Sequence, residues 1–318
     1  MAAGWSWGAL GHHAIARWGT DMIRCPSADK IRSHLATAAS GLVLCAVLYG
    51  GLAAADTKHS SARARLAAAS DDDPRLRYTP LDLADGSKLT LISPSEWSDL
   101  AESLVVSLNR THGEYTELFQ RIPAFSTSIR LMDEEAFYEL TGAPTWTNAM
   151  FFRGEIIIPL SRSKPIDIEN LERSVRHEFT HAILSSMSGG QIPGWLDEGI
   201  AQWTEGHEHP ALRQSLKTWL KANEPVPLER LQGGFTKLDP AMVPAAYAQS
   251  LLASKAIIKA FGFRKIGNYL TLLRKGVERP LAFESAFGLS TAEFEEKLGE
   301  SLLTWAKLPD APARQQVQ

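Results

Sequence analysis

The stretch Ser174–Met187, SVRHEFTHAILSSM, contains His177-Glu178-Phe179-Thr180-His181, an H-E-x-x-H pattern on a segment that reads as helix. Two imidazoles four residues apart on a helix stand one turn above each other, so both can reach one Zn²⁺. Glu178 lies about 100° round the helix from His177, beside the position that a catalytic metal leaves open, where a general base is needed. Ile168, Leu171, Val175, Phe179 and Ala182 form an apolar stripe, and both histidines point away from it.

A second short helix is expected in Gly194–Trp203, GWLDEGIAQW, with Leu196, Ile200 and Trp203 as its stripe and Glu198 on the opposite side. Gly189-Gly190 ends the first helix, and Gln191-Ile192-Pro193-Gly194 turns the chain. Such a return can bring Glu198 to the imidazole pair and complete a His₂Glu site with water as fourth ligand. Asp197 is the competing third ligand, projecting about 100° from Glu198. Glu205, His207 and His209 make another ligand-like cluster, which after Gly206 reads as a solvated loop. Trp195 and Trp203 read as packing residues rather than substrate platforms.

The chain of 318 residues, 44% hydrophobic, is long enough for a real core and one or two domains. A formal charge of −3 and a pI near 6.3 give no electrostatic case for nucleic acid. The cysteines, Cys25 and Cys45, both precede residue 55, which excludes a disulfide framework or a cysteine nucleophile in the body of the protein.

Residues 35–55 are apolar and uncharged, follow Arg24, Lys30 and Arg32, and end in Ala53-Ala54-Ala55. They read as a cleaved secretory signal, with Met22 giving a signal of ordinary length; an uncleaved membrane anchor is the alternative. The expected location is periplasmic or secreted, with membrane attachment only through that segment. Residues 56–73 read as a polar linker, and 74–318 as one domain, sheet-containing to about 165 and helical from 166.

Within that domain, Leu76–Leu83 and Lys88–Ile92 flank the turn signal Asp85-Gly86. Ser93-Pro94-Ser95-Glu96 predicts a helix start with Ser93 as N-cap and a helix running on to Phe119. Thr127–Met132 alternates as a strand, Asp133–Leu140 is a short helix, and Asn148–Phe152 with Glu155–Ile158 forms a second hairpin. A strand at the sheet edge there could pair with an extended peptide. Ala245–Phe261 and Arg264–Arg274 are helical, and Ser290-x-x-Glu293 is a capping box for a last helix. Strands early and helices late predict an α+β fold: a small mixed sheet, an active-site helix, then a mostly helical lobe.

H-E-F-T-H followed by P-G-W-L-D-E-G-I-A resembles the gluzincin metallopeptidases, the clan that includes thermolysin and the zinc aminopeptidases. It is most similar to the small bacterial peptidase MA-like proteins with a W-L-x-E-G motif. The resemblance covers roughly Phe125 to Trp305, including Phe137–Pro159 and Ala246-Tyr247-Ala248-Gln249-Ser250. It implies a thermolysin-like catalytic fold, one zinc per chain held by His177, His181 and Glu198, and Glu178 as base and proton shuttle. By analogy Tyr247 would hydrogen-bond the oxyanion of the tetrahedral intermediate; the other reading is a core or interface aromatic. The substrates implied are peptides or proteins. Departures are Gln202, where thermolysin-type members carry a carboxylate, and Thr147-Asn148-Ala149-Met150, only loosely like the aminopeptidase G-x-M-E-N signature. The alternative function is a zinc-site scaffold, without turnover or narrowly specific, in cell-envelope assembly. Oligomeric state is not legible.

Overall fold

Strand β1 (Leu76–Asp82) runs antiparallel to β2 (Lys88–Pro94) through the turn at Asp85-Gly86, with Tyr78 opposite Ile92. The computed structural model describes residues 75–143, 147–152, 154–206, 210–235 and 238–308. Asp85 closes the turn by accepting from the Ser87 N–H at 2.9 Å, and it also meets Nε2 of the buried His112 at 2.9 Å.

The helix start expected at Ser93 lies two residues later, and its cap is absent. Ser93 is paired with Arg77 in the sheet, a 3₁₀ turn occupies Ser95–Trp97, and no side chain caps it. Strand pairing has claimed the residue that local capping would have used. Helix α1 (Ser98–Phe119) then crosses the sheet, burying Ala101, Leu104, Leu108, Tyr115 and Phe119. It returns the chain to β3 (Ser126–Asp133), parallel to β2. The short α2 (Glu134–Thr141), capped by the Asp133 carboxylate, leads toward the hairpin of β4 (Met150–Phe152) and β5 (Glu155–Leu160).

The sheet order is β1-β2-β3-β5-β4, with β3 and β5 parallel and β4 antiparallel at the edge. Alternation along the strands sends Ile129, Leu131, Ile156 and Ile158 into the main core. Ile157 and Met150 point the other way, onto Phe137 of α2.

All the helices after the sheet lie between Ile168 and Ala306. Helix α3 (Ile168–Ser188) is started by the Asp167 carboxylate, which accepts from the Asn170 N–H at 3.1 Å. It ends at Gly189, whose φ of 63° is a left-handed turn that a side chain would strain. Its predicted stripe is only partly right: Ile168 is exposed, whereas Leu171, Val175, Phe179 and Ala182 are buried with both histidines. Beyond Ser174 the helix is largely enclosed, because neighbouring helices cover its polar side as well.

Helix α4 (Gly194–Thr204) packs on α3 and on the long α6 (Val243–Arg274), which Gly262 breaks at φ 72° and ψ 168°. Two helices have no counterpart in the sequence reading, α5 (Pro210–Trp219) and α7 (Arg279–Phe287). The last helix, α8 (Thr291–Ala306), opens with the expected capping box at Ser290 and Glu293. Trp195 stacks on its Phe294 at 5.9 Å and Trp203 on Phe263 at 4.9 Å, so both indoles pack. The α+β expectation is borne out, with every strand before Ser161 and a helical lobe after it.

The apolar segment 35–55, the 56–73 linker, Cys25, Cys45, His207, His209 and the tail 309–318 lie outside the described residues. Among the described residues no helix is long and apolar enough to cross a membrane.

Candidate active site

The helical period of α3 sets His177 and His181 one turn apart, with ring centroids 4.8 Å from each other and planes at 73°. Glu198 reaches them from α4, its Oε2 3.6 Å from His177 Nε2. One ligand atom from each of these three buried residues lies within 4.8 Å of the other two, a spacing that one cation can span.

Gly199 brings Glu198 to that point. A Cβ on Gly199 would stand 2.1 Å from the Ser250 carbonyl oxygen and 2.1 Å from Ser254 Oγ. Helices α4 and α6 therefore cross at a distance that only glycine permits. Gln202, one turn on, donates through Nε2 to the Glu198 carbonyl at 3.2 Å and to the Tyr247 carbonyl at 3.1 Å, tying the two helices together.

Two further carboxylates hold the imidazoles from behind. Glu205 Oε1 lies 2.6 Å from His177 Nδ1, and Asp197 Oδ1 lies 3.0 Å from His181 Nδ1, the latter an ion-pair contact without hydrogen-bond alignment. Asp197 thus stands behind His181, outside the three-residue group of His177, His181 and Glu198. Gln202 bonds backbone carbonyls, and the carboxylates that meet the imidazoles are Glu205 and Asp197. The sequence reading left both out of this role. For Glu205 a signal existed, since it follows Glu198 by seven residues, two helical turns, and so falls on the same face.

Burial alone would push both imidazoles toward the neutral form. For His177 that effect is outweighed by the contact with Glu198, by the hydrogen bond to Glu205 and by the charges of Glu205 and Glu178, which together raise its pKa well above the usual value. His181 is raised as well, against burial, by Asp197 and Glu198. Four buried carboxylates, Glu178, Asp197, Glu198 and Glu205, act on the two imidazoles. Among the described residues, Nε2 of His181 is buried without a hydrogen-bond partner, and Nε2 of His177 meets only Glu198 Oε2 at 3.6 Å, beyond hydrogen-bond distance. Buried nitrogens without hydrogen bonds, facing a concentration of negative charge, suit a divalent cation, and the His₂Glu donor set suits zinc. Glu178 is fully buried next to His177 in the chain.

Tyr247, on α6, is buried, its ring edge-on to Phe235 at 4.9 Å. A buried hydroxyl chain supports the same region: Tyr115 O–H meets Thr180 Oγ1, which lies 3.0 Å from Thr204 Oγ1. Thr180 sits between the two histidines and Thr204 next to Glu205, so α1 is joined to both helices of the site.

The sequence profile of the Peptidase MA superfamily matches residues 125–304, more than half of the chain. The chain belongs to the Peptidase MA superfamily. No curated protein matches in sequence. Among solved structures, the M1 zinc metallopeptidase from Deinococcus radiodurans shares 18% identity at a TM-score of 0.42, over 75% of this chain and 53% of that one. A mutant of the M1 enzyme from the same organism, bound to a Tyr-Ser-Ala substrate, shares 16% identity at a TM-score of 0.42, again over 75% and 53%. The chain thus spans about half the length of these structures, 53% in each case.

Proposed function

We propose that the protein is a zinc-dependent peptidase that hydrolyses peptide bonds in proteins or peptides outside the cytoplasm. The observation that carries the reading is the buried group of His177, His181 and Glu198, whose Nε2 atoms make no hydrogen bond among the described residues, with the charge of Glu178 acting on His177. Family membership supports the same chemistry.

In this reading His177, His181 and Glu198 hold one zinc ion, and Asp197 and Glu205 fix the imidazole orientations through Nδ1. Zinc bound there supplies Lewis acidity and makes water a nucleophile near neutral pH. Glu178 takes the proton from the attacking water and passes it to the leaving amine. The Tyr247 hydroxyl donates to the developing oxyanion. Strand β4, at the edge of the described sheet, offers main-chain groups to an extended substrate, which fixes the scissile carbonyl before the site. Export is proposed from the basic-then-apolar segment ending at Ala55.

The test is zinc content and peptide-library cleavage of the full-length protein, wild type against Glu198→Ala and Glu178→Gln. The expected result is one zinc per chain in the wild type, its loss in Glu198→Ala, and retained zinc without cleavage in Glu178→Gln. Folded wild-type protein that takes up no zinc would refute the reading. Unchanged cellular function in Glu178→Gln would favour the scaffold alternative instead.

A further inference from the structure

We propose that a cavity beside the N-terminal half of α3 is a side-chain subsite that selects Lys or Arg near the scissile bond, with Glu134 as its specificity-determining residue. The inference rests on the peptidase reading above.

The cavity measures about 250 Å³ and lies between α2, the end of β5, the 161–167 loop and the first turns of α3. That is room for one long side chain rather than for a larger ligand. Two features align it with the metal-ligand group. Asn170 and Ser174 line it, and they precede His177 and His181 by seven residues each, two helical turns. They therefore share the helix face that carries the imidazoles, about 10 Å toward the N-terminus. Asn148 also lines it, two residues before the edge strand β4. An extended peptide advances about 3.3–3.6 Å per residue, so a peptide paired to β4 with its carbonyl at the imidazoles presents a side chain about three residues away to the cavity.

The lining chemistry selects the side chain. Ile158, Pro159 and Leu171 offer apolar wall to an aliphatic stem. The lining groups charged at neutral pH are Glu134, Lys164 and Asp167. Asp167 is engaged as the cap of α3. Glu134 is half-buried, close enough to Tyr138 for its charge to act on that phenol, and Tyr138 O–H is anchored on the Thr147 carbonyl at 3.0 Å. Lys164 Nζ approaches Glu134 at 3.6 Å, yet its side chain is 70% exposed. An exposed pair of this kind is weak, and Lys164 can swing into water. An incoming ammonium or guanidinium group then takes its place on Glu134, whereas an acidic side chain would meet two carboxylates.

The test uses full-length, zinc-loaded protein and a peptide library varied on both sides of the scissile bond. Cleavage is scored as kcat/KM, and binding of the same library to Glu178→Gln is scored separately by affinity selection. Wild type is expected to favour Lys or Arg over Leu at one position by at least about tenfold. Glu134→Gln brings the ratio near unity, and Glu134→Lys reverses it toward Asp and Glu. Lys164→Ala, at an exposed position, sharpens the basic preference and supplies an independent arm should the Glu134 variants not fold. Cleavage without a basic preference, or with one that Glu134→Lys leaves intact, overturns the subsite while the peptidase stands. Selection of basic peptides by Glu178→Gln, lost when Glu134→Gln is added, with no cleavage by wild type, keeps the subsite and removes the peptidase reading. Neither binding nor cleavage removes both.

Discussion

Asp197 and Glu205 touch the imidazoles through Nδ1, on the side away from the proposed cation position, and they decide how rigidly those rings are presented. Glu205→Ala leaves His177 Nδ1 without its partner at 2.6 Å, so the ring is free to turn. Zinc affinity is expected to fall about 10–100-fold, read by competition with a chelator of known affinity, while circular dichroism stays unchanged. Tyr115 gives a prediction in pH. Burial, opposed by the Arg176 charge and by hydrogen bonds to the threonines, raises its pKa to about 12. Its unfolded value is near 10, so the folded state holds a proton that the unfolded state releases between those limits. The associated stability is fully present below pH 10 and is lost as pH rises toward 12, by about 2–3 kcal/mol. Urea unfolding at pH 8 and pH 11 should show about half of this loss in wild type and a smaller one in Tyr115→Phe.

Between elements, the crossing of α4 on α6 is the contact with least tolerance. Gly199→Ala sets a methyl 2.1 Å from the Ser250 carbonyl, where backbone rather than a flexible side chain stands in the way. The helices must separate, and overpacking of this kind costs about 1–3 kcal/mol or more. Because Glu198 is the preceding residue, the same variant should lose zinc; differential scanning fluorimetry and metal analysis on one sample check both effects. The cap of α8 is a milder case. Ser290 Oγ accepts from the Glu293 N–H at 3.1 Å, and Glu293 returns the contact to the Ser290 N–H at 2.8 Å. Ser290→Ala should cost about 1 kcal/mol in chemical denaturation and leave zinc content alone.

For the molecule as a whole, the cation position joins α3, which packs on the sheet, to α4, which packs on the helical lobe. A ligand bound only by the folded state stabilises it by mass action, about 2.7 kcal/mol at a hundredfold excess over Kd. A chelator should therefore lower the melting temperature of wild type and leave Glu198→Ala unmoved. A wild type equally stable with and without chelator would separate the buried carboxylates from any cation role.

What could be read along the chain is what repeats at short range. The histidines four residues apart, the alternating strands, the Asp85-Gly86 turn, the Gly189 terminus and the Ser290 cap all depend on neighbours within a turn or a hairpin, and each stands where expected. Glu198 was accessible because a short return of fixed chemistry connects it to the histidines. Local signals failed where a distant partner competed for the same group: Ser93 was predicted as a cap and is a strand residue, because β1 pairs with it. The supporting shell was hidden for the same reason. Apart from Glu205, which the helical period links to Glu198, its members are far apart in the chain: Tyr247 is 45 residues from Gln202, and Tyr115 is 65 from Thr180. No period of strand or helix links such positions; they meet because hydrophobic burial stacks α1, α3, α4 and α6 into one core, and their polar groups, once enclosed, must find partners.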